Sequence, residues 1–137
     1  MNNKLQKLSN FVIFKTEQGK VNIDVFFQSE TVWLTQKLIA QLFEKDRATV
    51  TEHLNNIFNQ GELDEKVVCR NFQHTTKHGA IKGKTQTKST KYYSLNAILS
   101  VGYRVHSHRA IEFRKWASKT LHEFIIKGFT MDDERLK

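Results

Sequence analysis

The chain has 137 residues, a formal net charge of +8, and 39% hydrophobic and 26% charged positions. That length suits one domain. The absence of proline and the scarcity of glycine exclude collagen-like and linker-like chains, and no apolar run reaches the roughly 18 residues of a membrane span. The N-terminal MNNKLQKLSN lacks the apolar segment of a signal peptide, and the single Cys69 excludes an internal disulfide framework and suits a reducing cytoplasm.

From residue 11 the chain reads FVIFKTEQGKVNIDVFF, in which Phe11, Ile13, Val21, Ile23, Val25 and Phe27 alternate with mostly polar positions. This is the period of half-buried strands. Glu17-Gln18-Gly19 is a turn between them, with Gly19 free to take a positive φ. TVWL at 31–34 is a third short strand, so the N-terminus predicts an antiparallel unit of two or three strands.

Thr35 is an N-cap candidate, and Leu38, Ile39, Leu42 and Phe43 then share one helical face. Asp46 is a second N-cap candidate, followed by the stripe Val50, Leu54, Ile57 and Phe58, with Gly61 as terminator. Two helices joined by about three residues have the spacing of a helix-turn-helix. Ala40 provides close packing and Val50, ten residues on, anchors the second helix, whereas Glu44 stands where glycine is common.

With Asp46 as cap, the groove-facing positions of helix 46–60 are Arg47, Ala48, Thr49, Thr51, Glu52 and Asn55. Side chains near the start of a recognition helix reach base edges. Arg47 suits guanine and Asn55 adenine, Thr49 and Thr51 suit phosphate or a thymine methyl, and Glu52 only accepts. The same pattern also serves a helical pair in a core with a solvated polar face.

VVCRNFQHTT from Val67 reads as extended, KHGAIKGKTQTKST as a long loop, and KYYSL as a returning strand. Of Tyr92 and Tyr93, alternation turns one inward and leaves one for a partner. SLNAILSVGY at 94–103 reads as a short apolar helix. A longer one starts after the N-cap candidate Ser107, carries Phe113, Trp116, Ala117, Thr120, Leu121, Phe124 and Ile125 at helical spacing, and ends at Gly128. Trp33 and Trp116 read as core. The boundaries are a polar tail at 1–9, one domain at 10–130, and a polar tail at 131–137 leading to a further region.

The charge is concentrated. Between Lys66 and Ile111 there is no Asp or Glu and there are nine Lys or Arg, while the rest of the chain balances 13 cations against 14 anions. This footprint suits phosphates, and a basic hairpin after a recognition helix has the form of a wing. The fold class expected is α+β: a winged helix-turn-helix-like domain with an N-terminal β-hairpin and a closing C-terminal helix. Lys45, Lys77, Lys82, Lys84, Lys88, Lys91, Arg104 and Arg109 are the candidate DNA backbone contacts. For Arg104 and Arg109, near a helix start with His106 and His108, pairing with acidic groups elsewhere is the equal alternative.

Other constellations are incomplete. Cys69, His74 and His78 offer one thiol where a structural zinc site wants four ligands. His106-Ser107-His108-Arg109 lacks the downstream nucleophilic tyrosine of a recombinase, and no phosphate loop, nucleophile elbow or H-E-x-x-H run is present. The carboxylates of Glu62-Asp64-Glu65 and Asp132-Asp133-Glu134 read as solvated turns. No catalytic residue, metal or cofactor is expected, and the chain is not read as an enzyme.

NFVIFKTEQGKVNIDVFFQSETVWLTQKLIAQLF, HLNNIFNQGELDE and YYSLNAILSVGYRVHSHRAIEFRKWASKTLHEFIIKGFTMDDERLK resemble the RhuM family of virulence-associated proteins over residues 10–137. GYRVHSHRAIEFRKWA and KGFTMDDERLK are the most specific parts, and the C-terminal stretch also loosely resembles Bro-type phage antirepressors. KHGAIKGKTQTKST and RATVTE match the family least. The resemblance implies a bacterial protein of mobile elements, with a DNA-binding or regulatory role and members that continue beyond DDERLK.

The expectation is a transcription regulator of a mobile-element or virulence locus, binding double-stranded DNA with helix 46–60 and a basic wing at 66–93. It would be cytoplasmic and nucleoid-associated, with secretion as an effector left open. The alternative is a protein-interaction module, an antirepressor or effector adaptor whose basic segment meets an acidic protein. A homodimer on two half-sites and a protein partner through a longer C-terminal region are open, and no heptad seam is present.

Overall fold

The structure, a computed structural model, describes residues 11–16, 19, 21–77 and 85–136, with side chains over 11–16, 19, 21–73 and 88–123. In chain order the elements are β1 (Phe11–Lys15), β2 (Asn22–Gln28), β3 (Thr31–Thr35), α1 (Gln36–Phe43), α2 (Arg47–Asn59), α3 (Glu65–Val68), β4 (Cys69–Lys77), β5 (Thr85–Ser94), α4 (Leu95–Arg104) and α5 (His108–Leu136). The chain is mixed α and β.

All five strands form one antiparallel sheet in the order β1-β2-β3-β5-β4. The N-terminal hairpin and the basic hairpin are therefore parts of one sheet. They are joined by Trp33, Leu34 and Thr35 of β3 pairing with Ser94, Tyr93 and Tyr92 of β5. This is a long-range pairing that local periodicity does not carry. The basic loop is also shorter than expected, because β5 begins at Thr85. The threonine-rich TQTKST pairs in register with β4, as β-branched residues favour.

The helices cover one face of the sheet. Phe14, Ile23, Val25, Phe27, Val32, Leu34 and Tyr93 meet Ile39, Leu42, Phe43, Val50, Leu54, Ile57, Ile98, Val101 and Phe113 in one core. α5 docks through rings: Phe14 lies 5.2 Å from both Phe113 and Trp116, centroid to centroid. On the opposite face Phe26, Trp33 and Tyr92 form a smaller cluster, with Phe72 packed on it and the Arg70 guanidinium 5.1 Å from the Trp33 ring. Trp33 is thus a core residue whose Nε1 donates to the Gln28 carbonyl at 2.8 Å. Both tyrosines are buried, Tyr93 in the main core and Tyr92 in the second cluster on the other face.

The caps follow the sequence. Thr35 accepts from the Leu38 N–H at 3.2 Å, Asp46 from Thr49 N–H at 2.8 Å, and the Ser107 hydroxyl from Arg109 N–H at 3.2 Å. Gly61, at φ 74, ends α2 in a Schellman turn, with Glu62 N–H donating to the Ile57 carbonyl at 3.0 Å and Gly61 N–H to that of Phe58 at 3.1 Å. α1 ends in the same turn with Glu44 at φ 55 in place of glycine. That left-handed conformation costs a residue with a Cβ about 1 kcal/mol or more.

Two helices differ from expectation. α3 occupies 65–68, where an extended stretch was expected from Val67; Asp64 caps it, accepting from Lys66 N–H at 3.0 Å. α5 passes Gly128 and runs to Leu136, so the stretch expected as a polar tail from 131 is helical up to that residue. An interior glycine costs a helix only about 1 kcal/mol, and Met, Glu, Arg and Leu in MDDERL are good helix formers.

Candidate nucleic-acid interface

The pairing of β3 with β5 brings the start of α1 against the basic hairpin. There Thr35, Gln36, Lys37, Arg47, Lys88, Thr90, Lys91 and Tyr93 line a groove of about 340 Å³. Its charged lining is Lys37 and Arg47 from the first turns of α1 and α2, and Lys88 and Lys91 from β5, with no carboxylate. Neither helix has an acidic residue in its first turn. A cation there opposes the helix macrodipole, and an anion in the groove would relieve both that and the mutual repulsion.

Arg47, Ala48, Glu52 and Asn55 of the expected reading face are exposed, and Ala48, Glu52 and Asn55 share one stripe. Thr49 is half-buried, with its N–H on the Asp46 cap. The Thr51 hydroxyl donates to the Arg47 carbonyl at 2.9 Å. Asp46 itself is held below the ordinary carboxylate range by the Thr49 side chain first and its backbone N–H second.

The expected backbone contacts divide. Lys88 is exposed on β5 and Lys45 exposed in the turn between α1 and α2. Lys91 lines the groove but forms an ion pair with Glu65 and lies 5.5 Å from the Tyr93 ring centre. The hydrogen bond to Glu65 raises its pKa, so it stays charged. Lys82 and Lys84 lie outside the described residues, and Lys77 is described only in its backbone, as the last residue of β4.

Arg104 and Arg109 take the acidic-partner alternative. Arg104 Nη2 donates to Gln60 Oε1 and Glu62 Oε1, each at 2.8 Å, and Arg109 donates to the Leu42 carbonyl at 3.0 Å and to Glu44 Oε1 at 2.7 Å. Both guanidiniums are thus engaged within the protein through their Nη atoms. Glu62 is held below the ordinary carboxylate range by Arg104 first and Ser100 second. The carboxylates at 62–65 are exposed, as expected, and they are also partnered: Glu62 and Glu65 form ion pairs, and Asp64 caps α3.

Lys37 and Gln36 were not among the expected contacts. A local signal existed, since a lysine two residues after an N-cap sits where an acid is preferred. Burial of the Cys69 thiol pushes its pKa up to about 11. Among the described residues, no group of three or more His, Cys, Asp or Glu is placed to hold a metal ion, and no helix is long and apolar enough to cross a membrane.

A family model described as the Virulence protein RhuM family matches residues 67–137, just over half of the sequence. The chain belongs to the RhuM family. The matched span holds α4 and α5, both strands of the basic hairpin, and the last two residues of α3. The RhuM match starts after α1 and α2, so the resemblance seen over residues 10–66 lies outside it. No curated protein and no solved structure matches the chain.

Proposed function

We propose that this RhuM-family chain is a winged helix-turn-helix domain that binds double-stranded DNA and acts as a transcription regulator of a virulence or mobile-element locus. α1 and α2 form the helix-turn-helix, and β4 and β5 form the wing. α2 enters the major groove with Arg47, Glu52 and Asn55 toward base edges, while Lys37, Lys88 and the hairpin lie along phosphates.

The observation that supports this reading is the groove where the first turns of both helices and the hairpin present Lys37, Arg47 and Lys88, with Lys91 paired to Glu65 and no carboxylate in the lining. The exposed stripe of α2 beside it supplies groups that can tell bases apart.

Selection of bound duplexes from a random pool at two salt concentrations tests it. The expected result is enrichment of a common motif, with affinity falling steeply as salt rises. Duplex binding no tighter than that of an unrelated basic protein, with no enriched motif, would sink this reading and favour an acidic protein as the partner.

A further inference from the structure

Two arginines flanking the connector between α4 and α5 hold the far ends of both helices of the α1–α2 pair. Arg109, the second residue of α5, reaches back 67 residues to the Leu42 carbonyl and 65 residues to the Glu44 carboxylate. Five residues earlier, Arg104 closes α4 and spans Gln60 and Glu62, on the C-cap of α2 and two residues past it. Each helix of the pair thus ends on one arginine, and a cation at a helix C-terminus is the favourable sign. The Arg109 side chain is 16% exposed while Glu44 is 66% exposed, so the guanidinium lies under the turn and the carboxylate outside it.

Glu44 makes the turn depend on this contact. Its left-handed backbone is one that glycine adopts without strain. A glutamate there is worse for the backbone but supplies the carboxylate that Arg109 grips. The turn 44–46 is itself exposed throughout, so burial does not hold it.

We propose that Arg104 and Arg109 are positioning residues that fix the pose of the α1–α2 pair against the basic hairpin, and that they govern sequence preference rather than raw affinity for DNA. This rests on the DNA-binding reading above. A contact between Arg47 and a base edge depends on the angle at which α2 is presented, whereas lysine contacts to phosphate tolerate displacement. Loosening the far ends of the helices therefore degrades discrimination first.

The test uses the whole chain and the variants Arg109→Ala, Arg104→Ala and Glu44→Gly. Amide hydrogen exchange is followed at Lys45 and Glu62, whose N–H groups close the two turns, with Val101 in α4 as the internal control. Affinity is measured for the selected duplex and for a scrambled one. Arg109→Ala is expected to speed exchange at Lys45 about tenfold, and Arg104→Ala that at Glu62, with Val101 unchanged. The preference for the selected duplex is expected to fall about fivefold or more, with scrambled-duplex affinity and salt slope unchanged.

Glu44→Gly relieves the backbone strain while removing the carboxylate partner of Arg109 and leaving its bond to the Leu42 carbonyl. It is expected to preserve the unfolding midpoint while losing preference as Arg109→Ala does. Wild-type preference retained in all three variants, or exchange unchanged at both turns, overturns the proposal. A wild-type chain with no preference instead defeats the DNA reading and with it the role in discrimination, while the exchange results still decide whether the arginines hold the helix ends.

Discussion

Gly102 and Ala110 touch across the junction of α4 and α5. A Cβ built on Gly102 would lie 2.7 Å from the Ala110 Cβ, and also 2.7 Å from Cζ of Phe43 at the end of α1. All three residues are buried. The missing side chain lets three helices converge beneath the turn that Arg109 grips. Gly102→Ala is therefore expected to destabilise the fold by about 1–3 kcal/mol through overpacking, despite alanine's better helix propensity. Urea denaturation reads this directly, and a stabilised variant would show that the junction can open at little cost.

Acid should weaken α2 from both ends. Asp46 at its start and Glu62 just past its end are both held below the ordinary carboxylate range. A depressed folded-state pKa stabilises the fold above the unfolded-state pKa, and that contribution disappears as the pH falls through the folded-state value. The urea midpoint should thus be level near neutrality and drop below about pH 4. Asp46→Asn keeps a capping acceptor without the titration, so its pH profile should be flatter. An unchanged profile would place the acid sensitivity elsewhere.

Cys69 should react slowly. With its thiol pushed up to about 11 by burial, the thiolate fraction at neutral pH is about a hundredfold below that of a thiol with the usual value near 9. Alkylation by iodoacetamide at pH 7.5 should be correspondingly slower than that of free cysteine, and should approach it in urea. Rapid alkylation of the folded chain would contradict this.

Removing charge from the groove should lower affinity for all duplexes alike. Lys37→Ala and Lys88→Ala are each expected to reduce the slope of log affinity against log salt by about one, with sequence preference retained. Arg47→Ala should instead weaken the preferred duplex more than a scrambled one. Binding titrations at several salt concentrations distinguish the two patterns.

Much of the fold was legible locally. Alternation in FVIFK and NIDVFFQ marked β1 and β2, and Thr35, Asp46 and Ser107 announced their helices because a cap is a contact spanning two or three residues. Helical periodicity gave Arg47, Ala48, Glu52 and Asn55 as exposed positions of α2, whereas Thr49 and Thr51 are half-buried. The short α3 was missed because two valines imitate a strand, and the run of α5 past Gly128 because a glycine ends a helix only where the chain turns. The roles of Arg104 and Arg109 could not be separated from those of other cations, since their partners lie 42 to 67 residues away.

The net charge of +8 and its concentration between Lys66 and Ile111 were determined by sequence alone, as were the apolar stripes and the caps, because each is a property of composition or of neighbours a few residues apart. Which cations stand free was decided only by tertiary structure. Pairing of β3 with β5 set Lys37 and Arg47 beside Lys88, with Lys91 tied to Glu65, and the folding of the α4–α5 junction onto the helix pair gave Arg104 and Arg109 carboxylate partners. A charge acts over distances in space, and only the folded chain sets those distances.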